Sequence, residues 1–277
     1  MTHIEHFNNG WMNPVLAFAL SFIGSVLGLR CAVHAKSSTA PLGWLLAAAV
    51  ALGGAAIWVM HFTAMLGFSI GGAPVRYDVT LTLISAVIAI AVVLVGLTIV
   101  IRGRTEWVSL PLGGAITGLG VAAMHYLGMR AMHTPVPVYY EPTLVATSIV
   151  IAVVASTVAL WFMLHVRGLF ITTGAALIMG IAVCGMHYTG MAAMRAHHGV
   201  GTEVVDGVAP VQLLLPLIAT VSLVVTGLVI VVGLAELDGA EDHLDAGSLR
   251  TREDSLMHST DPATLSDSGK HWPRRSE

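Results

Sequence analysis

Charge is what this 277-residue chain has least of. Asp, Glu, Lys and Arg make up 10% of it, against about 25% in an ordinary soluble domain. That deficit excludes a globular water-soluble enzyme. Cysteine is nearly absent as well: Cys31 and Cys184 are too few for a disulfide framework or a thiolate zinc site. With a formal net charge of −3 there is no basic footprint for nucleic acid. The N-terminal segment holds Glu5 and no Lys or Arg. That is the wrong flank for a cleaved signal peptide, so the first apolar run is expected to remain as a spanning helix. No nucleophile–base constellation is visible, which ranks hydrolytic enzymes last.

What the chain has in abundance is apolar length. Hydrophobic residues make up 56%, and the mean hydropathy is +0.81. Seven runs are each long enough to cross a bilayer as a helix: Pro14–Arg30, Leu42–Gly67, Val79–Ile101, Leu110–Met132, Thr143–Val166, Leu169–Met194 and Val211–Leu234. Backbone groups in lipid must bond internally, which makes an all-α integral membrane bundle the economical reading, with the lipid bilayer as its first partner. Residues 1–12 then form an N-terminal segment, 13–235 the seven-helix domain and 236–277 a polar tail. That tail carries 10 of the 16 acidic residues and is expected to be disordered, apart from a short helix near Glu236–Leu244. Arg30, Lys36, Arg102, Arg104 and Arg167 follow spans one, three and five, whereas Arg76, Arg130 and Arg195 follow spans two, four and six. The bias places the N-terminus outside and the C-terminus in the cytoplasm.

Internal repetition carries the functional information. Ser21, Ser85 and Ser148 occupy corresponding places in spans one, three and five. In the spans that follow, Met60-His61-Phe62-Thr63-Ala64-Met65 recurs as Met124-His125-Tyr126-Leu127-Gly128-Met129 and as Met186-His187-Tyr188-Thr189-Gly190-Met191. Random placement would give roughly 0.001 copies of Met-His-aromatic-x-x-Met. The unit is therefore a helix pair present three times, with a seventh helix added, and three units of like orientation imply a pseudo-threefold axis along the membrane normal. At these residues the chain resembles the MHYT family of bacterial integral-membrane sensor modules, over about residues 7–235. Phe62 in the first copy and Leu127 in the second depart from Met-His-Tyr-Thr, which leaves Met and His as the common chemistry. The resemblance implies a multi-pass protein of the bacterial cytoplasmic membrane that senses a diatomic gas (oxygen, carbon monoxide or nitric oxide) or redox state. Family members often carry a cytoplasmic domain that makes or breaks cyclic diguanylate. None is visible after residue 235, so output is expected to pass through an unidentified cytoplasmic signalling partner or the tail.

The residues themselves point to a metal. His61 with Met65, His125 with Met129 and His187 with Met191 are four apart and share a helix face; Met60, Met124 and Met186 flank it. Imidazole beside thioether suits copper, Cu(I) above all, and needs no deprotonated ligand inside the membrane. If the threefold reading holds, the three histidines lie at one depth and converge on the axis. Three alternatives stay open: a structural interhelical network, a copper channel or carrier with stacked Met/His rings, and a histidine-ligated haem in a membrane oxidoreductase subunit. Small residues before each motif (Gly53-Gly54-Ala55-Ala56, Gly118-Leu119-Gly120, Gly180-Ile181-Ala182) are expected to allow close helix approach. His3, His6, Met12, His197 and His198 offer an access route from the outer side. Asp78 and Glu141 open spans three and five, as helix caps first and a cation-attracting ring second; Arg130 and Arg195 are expected to reach the outer headgroups or to pair with these acids.

Overall fold

The computed structural model describes residues 4–5, 10–66, 68–70, 75–135, 137–196 and 206–259, with side chains described throughout these except at 4–5, 69–70, 196 and 238–259. It divides into two compact units, Met1–Val229 and Ile230–Glu277. Seven helices among the described residues are long and apolar enough to span a membrane. They are α1 (Met12–Ser37), α2 (Pro41–Met65), α3 (Val79–Arg102), α4 (Glu106–Arg130), α5 (Pro142–His165), α6 (Leu169–Ala192) and α7, whose apolar part is Pro210–Leu237. In the first unit each of α1 to α6 packs on the next and α6 returns to α1, so six helices close a ring. Up to Val229, helix α7 takes no place in that ring and buries only Leu214 and Val225.

Three boundaries differ by four residues or more from the sequence reading. Helix α1 runs on to Ser37, past Arg30. Helix α4 begins at Glu106 rather than Leu110, taking in Trp107 and Pro111. Thr105 is extended, and the Val108 and Ser109 amides donate to its carbonyl, so the helix is already under way before the apolar run starts. The seventh helix continues from Pro210 to Ser259, well past the short Glu236–Leu244 segment expected from the tail's polarity. Polarity was the wrong guide there: Ala, Leu, Glu and Arg recur between 236 and 256, and these favour helix whatever their solvation.

Within α2, residues Val50–Val59 form a π-helix. Its wide turns bond five residues back, as where the Met60 amide donates to the Ala55 carbonyl. Segments of this kind are ordinarily a single turn and gather at functional sites. Gly53-Gly54-Ala55-Ala56 sits inside it, and a Cβ at Gly24 of α1 would lie 2.6 Å from the Ala56 amide nitrogen. The expected close approach is present between repeats too: a Cβ at Gly118 would overlap the Val153 backbone of α5.

Each helix pair is closed by a two-stranded antiparallel ribbon at one end of the bundle. Strand β1 (Ile4–Glu5) pairs with β2 (Ser69–Ile70), β3 (Arg76–Tyr77) with β4 (Met132–His133), and β5 (Val138–Tyr140) with β6 (Met194–Ala196). Every repeat is thus strand–helix–helix–strand, its first strand bonded to its last. The second and third share a further contact, Asp78 N–H to Ala131 O at 2.8 Å and Glu141 N–H to Ala193 O at 2.9 Å. Asp78 caps α3 as expected, its Oδ1 accepting from the Leu81 amide at 2.8 Å. Glu141 does not cap α5; it pairs with Arg195 at 2.6 Å, a half-exposed contact worth about 0–1 kcal/mol.

Candidate metal centre

The three motif histidines stand four or five residues before the ends of α2, α4 and α6, just inside the ribbons. Each is 1% exposed. They meet on the axis of the ring. Their imidazole centroids are 4.9 Å (His61–His125), 4.9 Å (His61–His187) and 5.2 Å (His125–His187) apart, with interplanar angles of 74°, 83° and 89°. The arrangement is a nearly equilateral three-bladed propeller, as the threefold reading requires. His61 Nδ1 lies 3.0 Å from His187 Nδ1 and 3.1 Å from His125 Nδ1. Among the described residues this is the one convergent group of three or more His, Cys, Asp or Glu side chains.

An imidazole nitrogen has one in-plane lone pair or one N–H, and so serves one direction well. His61 Nδ1 faces two partners. A shared proton satisfies one of these contacts and leaves the other strained or bifurcated. A cation at the centre would accept all three lone pairs at once. Metal–imidazole bonds of about 2.0 Å need roughly 3.3–3.5 Å between nitrogens, so a small outward movement of the rings would fit one ion. The residues present therefore fit a metal held by three Nδ1 atoms. A porphyrin does not fit, because its macrocycle cannot enter between rings whose centroids are about 5 Å apart.

The ring orientation has a cause on the neighbouring helix. A Cβ at Gly128 would overlap His61 Nε2, and one at Gly190 would overlap His125 Nε2. Each of these histidines turns its Nδ1 to the axis and backs its Nε2 into a socket on the next repeat. The sockets are the third residue after a motif histidine, where the first copy has Ala64. The sequence carried that signal in the small residue common to all three copies, and it was read only as part of the motif.

The repeated serines explain the aromatic position. Tyr126 Oη bonds Ser148 Oγ of the third repeat at 2.6 Å. In the first repeat Phe62 has no hydroxyl, and Trp58, one turn earlier with its ring 5.0 Å from Phe62, donates Nε1–H to Ser85 Oγ at 2.9 Å. The missing tyrosine is thus replaced by a tryptophan that spacing alone does not single out. Trp58→Phe is expected to lower stability by about 1 kcal/mol, and Phe62→Tyr on that background to restore part of it, as read by thermal unfolding in detergent. The threonine makes no comparable contact: Thr189 bonds only its own helix, at Gly185 O.

The six motif methionines are all buried, at 1–3% exposure. Met60 packs with Ala17 and Ala64 against Val183, Cys184 and Tyr188, and Met186 borders a cavity on the axis. Met132 and His133 lie in β4, where the His133 Nδ1 is 3.0 Å from Asp206 O, away from the triad. Met12 is 63% exposed at the start of α1. His3, His6, His197 and His198 lie outside the described residues. At the far end of the bundle His34 stacks on Trp44, and His165 stacks on Trp161 and approaches Glu106 at 3.6 Å. Neither continues a row of histidines along the axis; the lining below the triad is mainly aliphatic, with the thioethers of Met163, Met179 and Met186 among it.

Comparison with known proteins agrees with the repeat. The MHYT family, described as a bacterial signalling protein N-terminal repeat, matches residues 54–113 and 118–175. These segments run from one motif-bearing helix into the next helix pair, and they include His61 and His125. The chain is 43% identical over 159 residues to the bifunctional diguanylate cyclase/cyclic di-GMP phosphodiesterase MucR of Pseudomonas aeruginosa, covering 56% of this chain and 23% of that one. It is 35% identical over 196 residues to the cyclic di-GMP phosphodiesterase NbdA of the same organism, covering 68% and 24%. It is 34% identical over 161 residues to the signalling protein YkoW of Bacillus subtilis, covering 56% and 20%. The matched region is under a quarter of each relative's length. No solved structure matches the chain.

Proposed function

The chain belongs to the MHYT family and is a multi-pass bacterial membrane protein; from that premise we propose that it is a sensor module whose three histidines hold one redox-metal ion, copper before any other. The observation that supports this reading is the single one of three buried Nδ1 atoms directed at one point. Three neutral imidazoles, on helices that also carry six buried methionines, offer soft-to-borderline donors that favour copper over magnesium or calcium. His61, His125 and His187 would be the ligands, and Met65, Met129, Met191, Met60, Met124 and Met186 would flank or complete the shell. Bound copper would supply a one-electron centre with room for a diatomic ligand. The chain's own groups keep water away, fix the rings through the glycine sockets, and tie the site to the ribbons.

The signal is then a diatomic gas or the ambient redox state, read near the outer face if the N-terminus lies outside. Output passes to a cytoplasmic partner, and the cyclic di-GMP activities for which MucR and NbdA are named support an enzyme of cyclic di-GMP turnover in that role. The test is metal analysis and anaerobic Cu(I) titration of detergent-purified protein. One copper per chain is expected, absent from the His61→Ala/His125→Ala/His187→Ala variant when circular dichroism finds that variant still helical. A folded wild-type protein that takes up no copper would leave the triad as a hydrogen-bonded interhelical network.

A further inference from the structure

One helical turn below the histidines, the ring encloses an apolar cavity of about 60 Å3 to which all six of its helices contribute. Ile57, Val121 and Val183 line it, and each precedes a triad histidine by four residues on the same helix face. The cavity therefore lies on the axis, about 6 Å of helix rise from the level of the rings. A single water needs only about 10–15 Å3, but it also needs two to four polar partners. Here the lining offers three hydroxyls, Ser25, Thr117 and Ser156, among seventeen residues. Thr117 already leans on Val92 O at 3.4 Å. Such a space discriminates against ions and, beyond one water that the unpartnered Ser25 Oγ would take, leaves room for a small neutral ligand.

A second apolar space lies against its side. Between α5 and α6 a groove of about 300 Å3, open toward the lipid-facing surface, is lined by residues such as Val150, Val154 and Ile178, and it shares Ala155, Met179 and Ala182 with the axial cavity. Val150, Val154 and Ile178 are 52–61% exposed, so the mouth of the groove faces hydrocarbon in a membrane. Small apolar molecules concentrate in hydrocarbon relative to water.

We infer that groove and cavity form a lateral route by which a neutral diatomic gas leaves the bilayer and lodges beneath the three histidines, with Ala155, Met179 and Ala182 as its throat. The purpose of the route rests on the reading of the triad as a metal centre; the binding itself does not. The histidine end of the bundle would then admit the metal, and the lipid side the gas.

Xenon is the probe, because it binds apolar cavities without any metal. Xenon titration of the full chain in detergent, followed by 129Xe NMR, is expected to show one saturable site. Val121→Phe, which fills the cavity, is expected to weaken it at least tenfold with copper content unchanged. Ala155→Leu at the throat gives a second, milder variant should the first not fold. Val154→Trp, in the groove but outside the cavity lining, is expected to slow xenon exchange tenfold or more while leaving equilibrium binding nearly intact. Absence of saturable xenon in folded wild-type protein would overturn the inference whatever the copper content. Unaltered exchange in folded Val154→Trp would overturn the lateral route. Xenon bound with no copper taken up would keep the cavity and defeat the metal reading instead.

Discussion

His61→Ala alone is expected to lower Cu(I) affinity by about 10³-fold or more, and by more than His125→Ala or His187→Ala. Loss of a partner in the outer shell of a metal site commonly costs about 10–100-fold; removing a ligand exceeds that. His61 should be the extreme because its Nδ1 makes both of the short contacts, 3.0 Å to His187 and 3.1 Å to His125. The measurement is competition against a chelator of known Cu(I) affinity, under anaerobic conditions. Equal losses at the three positions would mean that the rings contribute symmetrically once the ion is bound. Unchanged affinity in any folded single variant would remove that residue from the ligand set.

The second large effect lies at a residue with no side chain. Gly190→Val is expected to cost about 3 kcal/mol of stability or more, since overpacking a filled site typically costs about 1–3 kcal/mol and here a branched side chain would occupy the place of His125 Nε2. Gly128→Val should do the same through His61. Either variant would also turn a ring away from the axis, so copper binding should fall with stability. The control is Gly185→Ala in the same helix, where an added Cβ meets nothing within 4 Å. That change is expected to be neutral or stabilising by up to about 1 kcal/mol, from helix propensity alone. Thermal unfolding of the three variants separates the socket effect from the general consequence of replacing a helical glycine.

The seven spans, the threefold repeat and the meeting of three histidines were legible in the sequence because each rests on periodicity, and periodicity survives without coordinates. Helix ends at Leu110 and Leu234 were misplaced for the opposite reason: the apolar run ends there, but the backbone hydrogen bonding does not. The ribbons were invisible, since strands of two or three residues such as Arg76–Tyr77 carry no alternation to detect. The π-helical stretch of α2 left only Gly53-Gly54 as a trace, and that pair reads equally well as close packing. Which imidazole nitrogen faces the axis was also beyond the sequence. Gly128 and Gly190 decide it through contacts with a helix 62 or more residues away. Trp58 shows a further limit: a hydrogen bond can move one turn along a helix when its usual donor is lost, and no alignment of the motif copies reveals where it went.

The ribbons have a consequence for how such a protein could arise. Each joins the first strand of a repeat to its own last strand, so a repeat begins and ends at the same point on the rim and owes its closure to no neighbour. From the first unit to the second and from the second to the third, a histidine backs into a glycine and an aromatic side chain reaches a serine. A short gene encoding a single unit would already specify contacts of this kind, and separate copies of its product would have the means to assemble in the same order. Fusion of the copies into one chain then frees each to diverge. The first has done so: it carries Phe62, Trp58 and the π-helix, while still presenting its histidine to the other two.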